Sequence, residues 1–426
     1  YRDKWERQDY RQDTITTALE GKTEFYSGRG GSKASKANTP EGTEAEAEAE
    51  AEPVRTRLLR LATEEGACFH DQYGRRFFAA PVNGRREVLP LEKGGPVRPW
   101  LIARFRTETG DLPHANAVQD VLHGLDAEAW AGPERRVELR TAMRDGAYYL
   151  DLCDRERNVV RCTRDGWSIV RDVPELHFLR PTGMGALPVP DPAGNLSHLW
   201  ELLPTDPERD LAEPDATRIL LTAWILGAYH PEGPYPILCL SGEQGSGKST
   251  VARLLRFLLD PKGSDHRALL NRPPREEQDL WVTALAQRVL ALDNLSHLSS
   301  ELSDALAALA TGGAHEARKL YSDAETAFVP ACRPVAMTAI GQVAVRGDLL
   351  DRSLQVALPT IDSACTEKAF WEAATALRPL VLGGIMNCLC AALRHYDEVD
   401  QTALPRMADF AAWVLAMEAE RDLLPW

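Results

Sequence analysis

The chain has 426 residues, with 49 lysines and arginines against 63 aspartates and glutamates, a formal net charge of −14 at pH 7. That length suffices for two or three domains with separate cores, and the acidic balance excludes a protein coated in basic, phosphate-binding surface. Six of the negative charges (Glu41, Glu44, Glu46, Glu48, Glu50 and Glu52) fall in one short run, so the rest of the chain is less acidic than the total and is compatible with a local basic groove or pore.

Eight cysteines (Cys68, Cys153, Cys162, Cys239, Cys332, Cys365, Cys388 and Cys390) are scattered, and none forms a C-x-x-C pair, which argues against zinc. Several lie in apolar runs, where a reduced cysteine acts as a small hydrophobe, so a reducing cytoplasm is expected. No uninterrupted apolar stretch reaches membrane-spanning length. The chain opens at Tyr1 with no methionine or leader, which predicts that it belongs to a longer protein.

Residues 1–27 are charged and aromatic, with a weak helical stripe of Ile15, Ala18 and Leu19, as in the tail of an upstream domain. Residues 28–53 are rich in Gly, Ser, Lys and a Glu-Ala repeat; too few large apolar groups offset the entropy of ordering them, so they are expected to be a linker. A globular pattern starts near residue 54. Val54 to Leu61 is helical in pattern, and Arg75 to Val82 and Arg85 to Leu91 flank Asn83-Gly84, a dipeptide that tolerates the positive φ of a tight hairpin. Further strands are predicted at Val137 to Arg140, Ala147 to Leu152, Val159 to Cys162 and from Gly166-Trp167, with a helix over Ala115 to Ala131. An α+β domain over 54–205 follows. Its arginines (Arg75, Arg76, Arg85, Arg86, Arg135, Arg136 and Arg140) interleave with aromatics, a pattern that suits either nucleic acid or the polar faces of half-buried strands. Pro188 to Pro192 is a stiff connector, and Asp215 starts an apolar helix reaching His230.

The next stretch carries chemistry. Gly242-Glu243-Gln244-Gly245-Ser246-Gly247-Lys248-Ser249 matches G-x-x-x-x-G-K-[ST], between the apolar run Tyr235 to Leu240 and the helix-patterned Val251 to Leu259. In that strand, loop and helix order, backbone N–H groups from Gly242 to Thr250 converge on phosphate oxygens, Lys248 bridges the terminal phosphates, and Ser249 ligates magnesium. The site requires an acidic partner. Arg288 to Leu292 reads as a buried parallel strand with Asp293 at its carboxyl end, where ligands of open α/β sheets collect. Asn294 follows where glutamate is usual; it orients a water but cannot take its proton, so Glu301 or Asp304 is a candidate base. Arg333 to Ile340 is a second apolar strand, with Thr338 where a γ-phosphate sensor would sit. Arg346 and Arg352 flank a short helix leading to a strand, either as fingers reaching a neighbouring subunit's ATP or as arginines paired with Asp348 and Asp351.

Together Gly242 to Thr250, Val289 to Asn294, Thr311-Gly312-Gly313 with Arg318-Lys319-Leu320-Tyr321, Arg333 to Ile340 and Arg346 to Leu354 resemble the AAA+ ATPases of superfamily 3 helicases. The nearest likeness is the poxvirus/phage-type primase-helicase group of phages, plasmids and integrated elements. It covers about 206–360, and 54–200 is more loosely similar to domains preceding the helicase in bacterial mobile-element ATP-binding proteins. Arg346 to Arg352 also resembles the finger segment of enhancer-binding activators. The resemblance implies ATP and Mg²⁺ as cofactors and a ring, commonly a hexamer, threading single-stranded or forked DNA. It also implies a primase upstream, of which residues 1–27 would be the end. One departure concerns the hairpin between the two strands. Its tip, Ser322-Asp323-Ala324-Glu325, is acidic where the family presents a basic residue, so phosphate contact would fall to Arg318, Lys319, His315 or the upstream arginines.

The expected architecture is an α/β P-loop AAA+ ATPase core, a parallel sheet between helices, over 206–360. It follows the linker and an N-terminal α+β domain, and precedes a C-terminal helical lid or bundle over 361–426. In that last region helices are expected at Lys368 to Leu382, Gly384 to His395 and from Leu404, with Arg406 a surface residue or a second nucleotide sensor. A DNA helicase or translocase is the first reading. A protein-remodelling or defence AAA+ machine, or a nucleotide-gated assembly module, is the alternative.

Overall fold

The computed structural model describes residues 52–171, 173, 175–205, 214–263, 265–295, 298–318, 326–339, 347–360 and 365–425. The expected tail, the linker as far as residue 51, the hairpin tip with Lys319, and Arg346 lie outside the described residues, as do the side chains of His315 and Arg318.

Helix α1 (Val54–Glu65) leads into an antiparallel sheet of β1 (Ala67–His70), β2 (Arg76–Val82) and β3 (Arg85–Pro90). The hairpin turns at Asn83 (φ 52°) and Gly84 (φ 75°), with Val82 opposite Arg85, as the mirror-image turn requires. Alternation along β2 sends Phe78 and Ala80 toward α1, α2 (Val97–Thr109) and α3 (Ala115–Ala131), and Phe77 and Ala79 to the other side with Phe69. Helix α2 carries Trp100, Leu101 and Phe105 inward and was not anticipated, because Pro96 and Pro99 frame its start.

The strand expected at Val137 to Arg140 is instead the two-residue β4 (Val137–Glu138), paired in parallel with β9 (His177–Phe178). Arg140 then takes a left-handed φ of 68°. The meander starts only after it, as β5 (Thr141–Arg144), β6 (Ala147–Asp151), β7 (Val159–Thr163) and β8 (Gly166–Val170) in that spatial order. The two upstream sheets therefore pack on different cores. The β1 to β3 sheet packs on its own helices, whereas Tyr148, Leu150, Val160 and Cys162 of the meander share a core with residues far downstream.

After the short α4 (Ser197–Trp200), α5 (Ala216–Ala228) is capped by Asp215, whose carboxylate accepts the Arg218 N–H at 3.1 Å. Strand β10 (Ile237–Ser241) follows, then α6 (Lys248–Leu259), α7 (Glu277–Ala286), β11 (Leu290–Leu295), α8 (Ser300–Thr311), the hairpin β12 (Ala314–Arg318) and β13 (Thr326–Pro330), β14 (Val335–Ala339), α9 (Gly347–Leu350) and β15 (Ser353–Ala357). Four of these strands form a parallel sheet in the order β11-β14-β10-β15. Both faces are covered, which is why the strands read as continuous apolar runs. Leu238, Leu240, Ala336 and Val356 face α5 and α6; Ile237, Cys239, Leu292 and Met337 face α7, α8 and α9.

The two helices expected around Gly383 are one, α10 (Glu367–His395), 29 residues long with Pro379 inside it. Gly383 and Gly384 do not break it; they admit the 191–196 loop, since a Cβ on Gly383 would stand 1.9 Å from the Asp191 carbonyl oxygen. Helix α10 packs on the meander, with Trp167 donating to Asn387 at 2.9 Å, and on α11 (Ala408–Glu418). The helical stretch Glu367–Glu398 has the length and mean hydropathy (1.6) of a membrane span, and 67% of that window is buried in the protein, as in the core helix of a globular domain. All eight cysteines are free thiols.

Candidate nucleotide-binding site

The glycine loop joins β10 to α6 at the carboxyl end of the sheet. Gly242 has φ 145°, and a Cβ there would lie 2.6 Å from Ser246 Oγ and 2.9 Å from the Leu358 carbonyl, so only glycine passes. Gly245 (φ 91°) and Gly247 (φ 78°) take left-handed conformations, Gly247 as the cap of α6. Ser246 is buried and donates to the Glu243 carbonyl at 2.9 Å, while Gln244 and Gly245 stay exposed at the rim. The Lys248 ammonium donates to the carbonyls of Gly242 (2.8 Å) and Glu243 (2.6 Å), so it lies over the loop within reach of whatever the amides cradle. Thr250 Oγ1 is 3.5 Å from an Arg253 guanidinium nitrogen, whose other arm pairs with Glu367 at the start of α10 at 2.7 Å. Burial pushes the neighbouring Cys239 thiol on β10 up to about 11.

Asp293 meets this loop although β11 and β10 are not neighbours: β14 lies between them. Ser249 donates to Asp293 Oδ1 at 2.8 Å. Thr338, at the carboxyl end of β14 and 2% exposed, donates to the same oxygen at 2.6 Å. The strand register explains the meeting. Leu292 pairs with Met337 and Leu295 with Ala339, so Asp293 and Asn294 together oppose the single Thr338. This is a β-bulge, and it turns the bulged residues out of regular alternation. Asn294 takes φ 58° there, is exposed, and donates its backbone N–H to Thr338 Oγ1 at 2.8 Å. The Thr338 hydroxyl thus gives its one proton to Asp293 and accepts from Asn294. The position expected of a γ-phosphate sensor holds a clamp on the acidic strand.

The donor set suits the expected groups. Ser249 Oγ and the Asp293 carboxylate are hard oxygen ligands of the kind Mg²⁺ takes, and a glycine loop of backbone amides with one lysine suits a polyphosphate. Glu301 sits on the first turn of α8, and Asp304 one turn further along.

Arg352 is elsewhere. It precedes β15, and its carbonyl accepts the N–H of Ile237, the first residue of β10, at 2.9 Å. It therefore stands at the amino end of the sheet, a strand length of roughly 16 Å from the glycine loop of its own chain at about 3.3 Å per residue. Arg406 pairs with the neighbouring Asp351 at 3.0 Å, at that same end.

Sequence reading missed the charges beneath the site. Arg140, Arg256, Asp260 and Arg288 are buried and share no motif or spacing. The only signal was Asp260 closing an apolar helix and Arg288 opening an apolar strand, positions where a charge normally meets water.

Comparison with known proteins gives the following. A solved structure described as the SCCmec type IV Cch active helicase is similar at 13% identity over 84% of this chain and 69% of that one, with a TM-score of 0.45. The apo NrS-1 C-terminal region is similar at 12% identity over 76% and 67%, with a TM-score of 0.39. No curated protein matches the chain. The family model for the actinomycete integrative conjugative element replication protein matches residues 211–424, which hold the glycine loop, Asp293, Thr338 and Arg352. With half of its length matched, the chain belongs to the actinomycete integrative conjugative element replication protein family.

Proposed function

We propose that this replication protein is a Mg²⁺-dependent ATPase with an AAA+ core of superfamily 3 type, working in the cytoplasm as a ring that moves along DNA. The observation that carries the reading is the meeting of Ser249 and Thr338 on one oxygen of Asp293, beside a complete glycine loop. In this account the amides from Gly242 to Thr250 and the Lys248 ammonium hold the triphosphate, and Ser249 and Asp293 hold the magnesium ion. When bound, the ion supplies charge neutralisation between the β- and γ-phosphates. Asn294 orients a water through its amide but has no basic group. The proton is therefore left to the solvent or to a carboxylate on α8, Glu301 or Asp304, which makes slow turnover the expectation.

The placement of Arg352 supports action across a subunit interface, because its own P-loop lies at the other end of the sheet. Arg346 is assigned the same role on its sequence position. A primase, upstream in the same protein or as a partner, would act on the strand this ATPase exposes.

The test is ATP turnover and unwinding of forked DNA by the chain beside Lys248→Ala. Turnover stimulated by single-stranded DNA, with unwinding abolished in the variant, supports the reading; unwinding undiminished by Lys248→Ala contradicts it. The acidic sequence Ser322-Asp323-Ala324-Glu325 favours a second reading, an AAA+ machine acting on protein. ATP turnover indifferent to single-stranded DNA would select it.

A further inference from the structure

We infer that Arg140, immediately ahead of the upstream meander, is a positioning residue for ATP hydrolysis, acting through Asp260 on the strand that carries Asp293. The inference rests on the ATPase reading above and adds the upstream region to the site.

Asp260 directly follows the P-loop helix α6, with its N–H on the Arg256 carbonyl at 2.8 Å. One carboxylate oxygen, Oδ2, accepts the backbone N–H groups of Arg288 (2.8 Å) and Val289 (3.4 Å), the two residues that lead into β11. The same side chain thus ties the far end of α6, which begins with Lys248 and Ser249, to the near end of the strand ending in Asp293. The other oxygen, Oδ1, accepts Nε (3.2 Å) and Nη2 (3.0 Å) of Arg140. The remaining Arg140 bonds anchor it upstream, to the carbonyls of Asp151 (3.3 Å) and Gly185 (2.8 Å). Arg140 is 0% and Asp260 3% exposed. A charge so buried is held only by its partner and its hydrogen bonds. The left-handed backbone of Arg140, costly for a long side chain, persists because those bonds over-determine it.

Two further links make the tie specific to β11. Arg256, one turn before Asp260, bonds the side chains of Asn271 and Gln287 (2.8 Å). The Asn271 backbone brackets the end of β11, donating to the Ala291 carbonyl at 2.7 Å and accepting the N–H of Asp293 itself at 3.1 Å. Arg288 meanwhile reaches back to Thr141, the residue after Arg140, at 3.1 Å. A shift of the meander is therefore felt at both ends of the Asp293 strand; toward β10, Arg288 bonds the Tyr235 hydroxyl at 2.8 Å, two residues ahead of the strand, and no side-chain bond from Arg140, Arg256, Asp260 or Arg288 falls on 237–241.

The experiment compares the full chain, Arg140→Lys, and the double variant Arg140→Gln with Asp260→Asn. The double variant is used because it removes both charges of the Arg140–Asp260 pair together and keeps an acceptor for the Arg288 N–H, while Arg256 retains its bonds to Asn271 and Gln287; its melting transition is measured first, and Arg140→Lys, which keeps the Asp260 carboxylate, carries the comparison if that transition is lost. Its nucleotide affinity is expected to match the parent's, with turnover lowered by about tenfold and amide exchange of 288–295 faster by about tenfold. Exchange of 237–241 stays at the parent rate, and Arg140→Lys, which keeps the charge but not the fork, falls between. Parent-like turnover and exchange in the double variant, or equal loosening of β10 and β11, overturns the inference. If the parent itself fails to hydrolyse ATP, the ATPase reading fails, while the strand-specific exchange still decides whether Arg140 positions β11.

Discussion

Thr338 donates its only hydroxyl proton to Asp293 at 2.6 Å while accepting the N–H of Asn294 at 2.8 Å. One buried side chain thereby fixes both residues of the bulge, the Asp293 carboxylate that accepts from Ser249 and the backbone of Asn294. The pairing predicts an isosteric test. Thr338→Val keeps the packing but strips a hydrogen bond from a partly buried carboxylate and orphans the Asn294 N–H. It should cost about 1–3 kcal/mol of stability and lower ATP turnover, and Thr338→Ser should restore both. Thermal melts beside phosphate release check it.

Asn294 holds φ 58°, a conformation asparagine adopts more readily than most residues. Asn294→Gly should leave stability close to the parent. Asn294→Val should destabilise by about 1–2 kcal/mol through the left-handed penalty, seen as a shifted denaturant midpoint with unchanged slope. Asn294→Glu supplies the missing base and should raise turnover despite a similar strain.

A contrast between two helix glycines tests the docking of the 191–196 loop. Gly383→Ala places a methyl 1.9 Å from a carbonyl oxygen and should cost about 1–3 kcal/mol. Gly124 lies inside α3 with nothing within 4 Å of a built Cβ, so Gly124→Ala should stabilise by about 0.5–1 kcal/mol. Melting of the two variants side by side reads the difference.

Burial, assisted by Arg135, Arg86 and Arg144, lowers the affinity of the His177 ring for a proton. Arg135 lies 3.1 Å from its Nε2 as a donor, which fixes the neutral ring. Because the folded-state value lies below the unfolded one, the unfolded chain binds the proton first. The stability His177 contributes is fully present above about pH 6.5 and is lost as pH falls through the lower folded value. Denaturation between pH 7.5 and 5 should show this slope, and His177→Gln should flatten it.

The opposite placement of Arg352 and Lys248 on the sheet predicts complementation. Lys248→Ala and Arg352→Ala should each be inactive alone. Equal mixtures should regain about a quarter of parent turnover, since half the interfaces have an intact loop and half of those an intact neighbour arginine. Phosphate release from the mixture checks it.

The elements around this site were legible because their patterns are local. The strand, glycine loop and helix over 237–259 and the apolar strand running into Asp293 stand in the order their spacing predicts. The hairpin at Asn83-Gly84 was legible for the same reason. What escaped depends on partners distant in sequence. The bonds from Thr338 to Asp293 and Asn294 escaped because only the register of β11 against β14 reveals the bulge that brings them together. Gly383-Gly384 looked like a helix break on propensity, and only the 191–196 loop explains the pair. Arg140 was one of several arginines that suited nucleic acid or polar strand faces, and Asp260 carried no expectation, since no local pattern shows that each is buried against the other.

The most direct measurement is phosphate release from Mg²⁺-ATP by the chain, beside Lys248→Ala and Asp293→Ala, each checked for an unchanged melting transition. The account predicts measurable turnover in the chain and a loss of at least about a hundredfold in both variants. Turnover that survives either substitution, or a folded chain that binds Mg²⁺-ATP without hydrolysing it, would contradict it.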